Sequence, residues 1–293
     1  MLLLSGQVVA QQRLESLTHW AKHLPSTAPQ PGVAFVLVGE DGPSNTYVQR
    51  KQIVAQQVGF GSQVHRLPMS VSQAELLRLI HHLNEDPQVH GFLVQAPLPA
   101  HIDSYAIYNA IAPHKDIDGF HALNLGYVCQ GDIHRGFIPC TPAGIVELLK
   151  HYRVPIDGQH VVVVGRSLTV GRPAALLFLE KTLNATVSIC HRGTRHLSQI
   201  TQQADILIAA MGCPGFIQAD HVKPQSIVID VGITRVVDAT CRSGYRLMGD
   251  VAFEAVCTKV AAITPVPGGV GPLTVAQLMH NTAVAYKRQF GFS

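Results

Sequence analysis

The chain carries little charge and no patterned cysteine. Only 14% of its 293 residues are Asp, Glu, Lys or Arg, against about 25% in an average soluble domain. The net charge is +3, with no basic run, which argues against nucleic acid as the main partner. The six cysteines, Cys129, Cys140, Cys190, Cys213, Cys241 and Cys257, include no CxxC pair. Zinc-finger spacing is therefore absent, and a disulfide framework is not expected at this length. A reducing, cytoplasmic setting fits such cysteine usage. The histidines are scattered without an HExxH spacing, so no metal is expected. Residues 1–5 are apolar but lack a basic n-region, and the first charge is Arg13, so no signal peptide is expected. No charge stands between Lys259 and Lys287, yet Pro265, Pro267, Gly268, Gly269, Gly271 and Pro272 interrupt that stretch. It reads as a loop followed by a helix, and no membrane span is expected.

What is present is apolar residues, 47% of the total. They suffice for ordinary cores in about two domains at roughly 150 residues each. No internal repeat or low-complexity segment interrupts them. The first part alternates: a helix over 8–24, a strand over 33–38, a helix opened by Ser44, a strand over 63–67, a helix over 72–84 and a strand over 91–95. This βαβαβ order predicts a parallel sheet with helical covers. A second unit begins near Thr141, with a helix over 142–151 and a β-branched strand over 160–165. A helix over 172–182, strands over 185–190, 205–209 and 226–231, and a last helix over 273–289 follow. That is a second doubly wound α/β unit.

Lys51 stands out in the first unit. The Ser44 helix places Tyr47, Lys51, Val54 and Val58 at i, i+4, i+7 and i+11, on one face. Burial disfavours an ammonium, and a lysine so placed can exchange protons near neutral pH. The plainer reading is that its charge snorkels to water over buried methylenes. Gln95 ends the third strand, and the Lys51 helix follows the first, so both belong to the rim where parallel sheets bind ligands. Gln95 can cap backbone there, or orient a water or substrate.

In the second unit, Gly165-Arg166-Ser167-Leu168-Thr169-Val170-Gly171 follows the first strand. This is not GxGxxG, but two glycines suit a tight turn into a helix whose amides receive phosphate. The next strand ends Cys190-His191-Arg192 with no acid, where an NAD site carries one for the ribose. His191, Arg192 and Arg166 can instead meet a 2′-phosphate, which favours NADP over NAD. The alternative is an exposed basic turn. Asp116 and Asp118, next to Gly119, suit Asx-turns; a buried Asp118 can instead accept paired N–H donors from a heterocycle. Cys140 has no base beside it. Asp230 ends a strand as either a cap or a ligand.

Taken together, these motifs resemble the bifunctional methylenetetrahydrofolate dehydrogenase/methenyltetrahydrofolate cyclohydrolase family over essentially the whole chain. They run in order: Ser44, Tyr47-Val48 and Lys51; Val94-Gln95 with Pro97-Leu98-Pro99; Lys115-Asp116-Ile117-Asp118-Gly119-Phe120; Pro139-Cys140-Thr141-Pro142; Gly165-Arg166-Ser167 with Val170-Gly171; Asp230 with Gly232-Ile233; Gly249-Asp250-Val251; and Thr264 to Pro272 with Thr274. The resemblance implies an α/β fold of two domains with a cleft between them. An aminoacid-dehydrogenase-like parallel-sheet domain (1–139 with 266–293) would bind tetrahydrofolate one-carbon derivatives. A Rossmann-like domain (140–265) would bind NADP. It implies Lys51, Tyr47 and Gln95 as catalytic residues, and Asp118, Tyr47, Pro267 and Gly268 as folate contacts. Gly165, Arg166, Ser167, His191, Arg192, Ile233, Gly271 and Thr274 would meet the nucleotide. The last helix would return to the first domain, and a homodimer is implied.

Three positions depart from the family pattern: Asp41-Gly42-Pro43-Ser44 for Asp-Pro-Ala-Ser, Ala96 for leucine, and Met211 for threonine. A different two-domain NADP dehydrogenase acting on a small acid is disfavoured by the 115–120 and 265–272 motifs. A regulatory nucleotide-binding protein is disfavoured by the retained Lys51, Gln95 and Asp118.

Overall fold

The computed structural model describes residues 1–39, 42–241 and 244–291. In chain order the elements are β1 (Leu2–Leu3), α1 (Gly6–Lys22), β2 (Gly32–Val38), α2 (Gly42–Gln57), β3 (Gly61–Leu67), α3 (Gln73–Glu85), β4 (Gly91–Val94), α4 (Ser104–Ala110), α5 (Ala122–Gln130), α6 (Cys140–His151), β5 (His160–Val164), α7 (Gly171–Phe178), β6 (Thr186–Cys190), α8 (Leu197–Thr201), β7 (Ile206–Ala209), β8 (Ile227–Asp230), β9 (Thr234–Val237), β10 (Tyr245–Met248), α9 (Phe253–Cys257), β11 (Ala262–Ile263) and α10 (Val270–Phe290). The chain divides into two compact units. One comprises Gln11–Pro139 with Val275–Ser293, and the other Met1–Ala10 with Cys140–Thr274. This differs from the expected division, because residues 1–10 and 266–274 go with the second. The reason is local pairing: Leu2 and Leu3 lie parallel to Ala262 and Ile263, and the Gln7 amide donates to the Gly268 carbonyl at 3.1 Å. A two-residue strand is too short to show alternation in the sequence.

The first of these units carries a parallel sheet in the order β3-β2-β4. Strand β2 reads GVAFVLV and is buried at every position, as a central strand covered on both faces must be. Helix α3 opens with a capping box between Ser72 and Glu75, which satisfies two end amides. Its Leu76, Ile80 and Leu83, at helical spacing, pack on Ala34, Val36, Phe92 and Val94 of the sheet.

Helix α2 begins at Gly42, two residues ahead of the Ser44 expected to open it. The Thr46 hydroxyl, bonded to the Gly42 carbonyl at 2.8 Å, closes that first turn. Its buried face runs through Ser44, Val48, Lys51, Ala55 and Val58, while Tyr47 and Val54 are half-buried at the margin. The expected stripe was therefore centred on one side of the true one. The departure at Asp41 lies outside the described residues.

The segment after α4 extends β4. The Phe92 amide donates to the Lys115 carbonyl at 2.9 Å, and Phe92 bridges Asp116 in parallel. Gly91 makes this possible, since a Cβ there would collide with the Ile117 side chain.

The second unit holds six parallel strands in the order β1-β11-β8-β7-β5-β6, with a separate antiparallel pair of β9 and β10. The apolar centre is Val162, Val164, Leu207, Ala209, Val228 and Ile263. From β5 the chain goes first to β6 on one side and then to β7 on the other. Ligands of doubly wound sheets bind beyond the carboxyl ends at such a reversal. Helix α7 stops at Phe178, short of the expected 182. The chain turns there, with the Glu180 amide bonded to the Leu177 carbonyl and Asn184 at φ 53°. Among the described residues, no helix is long and apolar enough to cross a membrane.

Gly91→Ala should overpack the junction of β4 with the 115–117 segment. The expected loss is about 1–3 kcal/mol of unfolding free energy, read by urea denaturation; wild-type stability in that variant would show the junction to be loose.

Candidate active site

Lys51 and Gln95 come together at the carboxyl ends of β2 and β4. The lysine is 8% exposed, and its Nζ donates to Gln95 Oε1 at 2.9 Å. Gln95 Nε2 donates in turn to the Ala96 carbonyl at 2.8 Å. The amide is thereby oriented with its oxygen toward the lysine. The Gln95 amide N–H bonds the Val36 carbonyl at 2.8 Å, which ties the residue to the sheet. Tyr47 lies one turn before Lys51 on α2 and is half-buried. Because the Ala96 contact is made by backbone, the exchange of leucine for alanine there leaves the Gln95 clamp intact.

Asp118 lies inside a turn closed by a buried carboxylate. Its neighbour Asp116 is 1% exposed and accepts from the Gly119 amide at 3.2 Å, the His121 amide at 2.8 Å and Asn124 Nδ2 at 2.8 Å. Asp116 is thus the turn-former, and Asp118 stands half-buried within that turn. From α10, Asn281 Nδ2 donates to the Ile117 carbonyl at 2.8 Å. Lys115 is also buried, but its Nζ donates to the Leu83 and Asp86 carbonyls at 3.0 and 2.7 Å. It caps the C-terminal end of α3, where cations are favoured, and burial lowers its pKa.

In the other unit, Gly165, Arg166, Ser167, His191, Arg192, Ala210, Met211 and Cys213 line a cavity of about 410 Å³. It sits where β5, β6 and β7 end. The turn needs its glycines: a Cβ on Gly165, at φ 147°, would strike the Ala210 carbonyl, and one on Gly171 would strike the Gly165 carbonyl. Ser167 Oγ accepts from the Val170 and Gly171 amides at 3.1 and 3.3 Å, which closes the turn that leads into α7. His191 and Arg192 sit in a turn closed by the Thr194 side chain, whose Oγ1 accepts from the His191 amide at 2.9 Å. The Arg166 and Arg192 side chains are exposed. Close backbone approach and two exposed guanidinium groups suit a dinucleotide phosphate.

Not every expected nucleotide residue lines that cavity. Ile233, past β8, is 41% exposed. Gly271 is exposed in the first turn of α10, and Thr274 Oγ1 meets Thr141 Oγ1 at 3.2 Å. Pro267 is exposed and Gly268 half-buried at φ 101°, in the same unit as the cavity. Cys140 is buried. Among the described residues, no cluster of three or more His, Cys, Asp or Glu is placed to hold a metal ion.

Asp230 is a cap. Its carboxylate accepts from the Gly232, Asp250 and Val251 amides at 3.0, 2.8 and 3.0 Å. Burial pushes it up to about 6, with the Asp250 charge adding to the rise against those amides. Asp250, wholly buried, had no role in the sequence reading. Glycines lying between the two in sequence, Gly232 and Gly249, were the available signal. A Cβ on either would collide with one of the two carboxylates.

A parallel-sheet unit with a buried lysine and a doubly wound unit with a phosphate-suited cavity define a two-domain nucleotide-dependent dehydrogenase. Two family models match: tetrahydrofolate dehydrogenase/cyclohydrolase, catalytic domain, over residues 4–118, and its NAD(P)-binding domain over residues 139–290. The chain is 46% identical to "Bifunctional protein FolD" of Chloroherpeton thalassium, covering 98% of this chain and 99% of that one. The crystal structure of the bifunctional enzyme FolD from Campylobacter jejuni aligns with a TM-score of 0.93 at 44% identity, over 99% of both chains. That of the Trypanosoma brucei dehydrogenase-cyclohydrolase, complexed with NADP cofactor and inhibitor, aligns with a TM-score of 0.94 at 37% identity over 99% and 98%. The chain belongs to the tetrahydrofolate dehydrogenase/cyclohydrolase family, and it is an enzyme carrying that family's catalytic and NAD(P)-binding domains.

Burial holds the Asp116 carboxyl up at about 6 in the folded protein, with Asp118 adding to the rise; unfolded aspartate titrates near about 3.9. The folded state therefore binds the proton more tightly between these values. The stability it contributes is full below about pH 4 and lost as pH rises through about 6. The stability of wild type relative to Asp116→Asn should fall over that window by on the order of 3 kcal/mol, measured by urea unfolding from pH 4 to 7.5. A pH-independent difference would contradict this.

Proposed function

We propose that the chain oxidises 5,10-methylenetetrahydrofolate with NADP and hydrolyses the methenyl product to 10-formyltetrahydrofolate, with Lys51 as the proton relay. The observation that carries the residue assignment is the 2.9 Å bond between buried Lys51 and Gln95. In the dehydrogenase step, NADP supplies the hydride acceptor. The methenyl product is a cation stabilised by both flanking nitrogens, so this step needs positioning more than acid–base help.

The cyclohydrolase step adds water to that cation and opens the ring. A cationic substrate disfavours a second positive charge beside it, and Lys51 works there as the neutral amine that takes and returns the proton. Gln95, oriented by the Ala96 carbonyl, holds Lys51 or the attacking water. Tyr47 packs on the folate rings, and Asp118 accepts the paired N–H donors of the pterin amino edge. Pro267 and Gly268 line the folate side by family resemblance.

On the nucleotide side, Gly165, Arg166 and Ser167 receive the phosphates, and His191 with Arg192 selects the 2′-phosphate. The exposed guanidinium of Arg192 on the cavity wall supports that preference. Ile233, Gly271 and Thr274 complete the nucleotide contacts by resemblance. A homodimer rests on the same resemblance, and sedimentation tests it. The six free cysteines support a reducing, cytoplasmic compartment, and the small net charge without a basic run supports a protein that does not act on nucleic acid.

Lys51→Met should lower methenyltetrahydrofolate hydrolysis by roughly 100-fold or more and leave the NADP dissociation constant within about twofold. Hydrolysis at the wild-type rate would remove the relay role. Arg192→Ala should raise KM for NADP far more than KM for NAD; equal losses would remove the phosphate argument.

A further inference from the structure

The cavity wall contributed by Met211 and Cys213 belongs to the loop after β7, whose amides are bonded by a side chain from a distant segment. Asp250 Oδ2 accepts from the Met211 and Gly212 amides at 2.5 and 3.0 Å, and Oδ1 accepts from the Cys213 amide at 2.8 Å. Three successive N–H groups thus converge on one buried carboxylate. The backbone of the same segment holds the rest of the loop. The Gly249 carbonyl accepts from the Gly215 amide at 2.9 Å, and the Asp250 carbonyl from the Ile217 amide at 2.9 Å.

Asp250 is itself anchored. Asp230, at the end of β8, accepts the Asp250 and Val251 amides, and its own amide donates to Thr264 Oγ1 at 2.7 Å. A continuous set of bonds runs from the end of β8 through Asp230 and Asp250 to the wall of the cavity. Asp250 is absent from the cavity lining. Its effect on a bound nucleotide would be indirect.

We propose that Asp250 is a positioning residue for nucleotide binding, its carboxylate holding the Met211-Gly212-Cys213 turn in the shape that completes the NADP cavity. This rests on the reading of that cavity as the NADP site. An asparagine at 250 cannot replace the carboxylate. Its NH2 group, whichever way it turns, must face at least one amide N–H, donor against donor. The turn is then free to shift while the Lys51 unit is untouched.

The test is isothermal titration of NADP into the purified full-length protein, with kinetics alongside. Asp250→Asn should weaken NADP binding about tenfold, the size expected for losing one charge-assisted hydrogen bond. KM for NADP should rise equally, with kcat at saturating NADP and methenyltetrahydrofolate hydrolysis both within about twofold of wild type. Gly232→Ala is the second variant, because its Cβ would displace the Asp250 carboxylate without changing charge; it should give the same split. NADP affinity unchanged in either folded variant would overturn the proposal. So would parallel loss of NADP binding and hydrolysis in both, which marks a purely structural residue. Arg192→Ala in the same titration separates the two readings. If Arg192→Ala weakens NADP and Asp250→Asn does not, the positioning role alone falls. If neither does, the cavity is not the NADP site and both fall.

Discussion

Backbone amides gathered at the carboxyl ends of parallel strands must be satisfied, because burial without a partner costs about 1–3 kcal/mol per group. Here that demand is met by buried aspartates. Asp116 takes two amides and the Asn124 side chain, Asp230 takes three amides, and Asp250 takes three. Each carboxylate costs desolvation, visible in the upward shifts of Asp116 and Asp230. What is obtained is loop geometry. The turns that carry Asp118 and that line the cavity beyond β5, β6 and β7 hang on these carboxylates, and their glycines make room for them.

The two buried lysines of the first sheet unit show how similar burial serves different ends. Lys115 is bonded to two main-chain carbonyls at the end of α3. Lys51 is bonded to a side-chain amide, whose orientation is set by the Ala96 carbonyl. Lys51 is thus held by one neutral side chain, whereas Lys115 is held by main chain alone.

The sheet strands and their parallel pairing were legible from alternation of apolar strands and helices, as were the Lys51–Gln95 rim and the Gly165–Gly171 turn. Other features were not. β1 has two residues, too few for a period. The buried face of α2 runs through Val48 and Ala55, whereas the sequence pointed to Tyr47 and Val54; a helix with polar residues on most sides has a weakly defined stripe. Asp230 and Asp250 are 20 positions apart, and nothing local pairs them. Family motifs marked both segments, but gave neither a partner.

Local chemistry in the chain was enough to specify the α/β class, the rim that carries Lys51 and Gln95, and the glycine turn after β5, because each depends on periodicity or on residues within a few positions. Tertiary folding alone decided which strand the amino terminus joins, which helix end Lys115 caps, and that Asn281 of α10 bonds the carbonyl beside Asp118. It alone brought Asp250 under the 211–213 turn. Those contacts join residues from about 30 to more than 150 positions apart, and hydrogen-bond partners at that range follow from packing, which no short window of sequence contains.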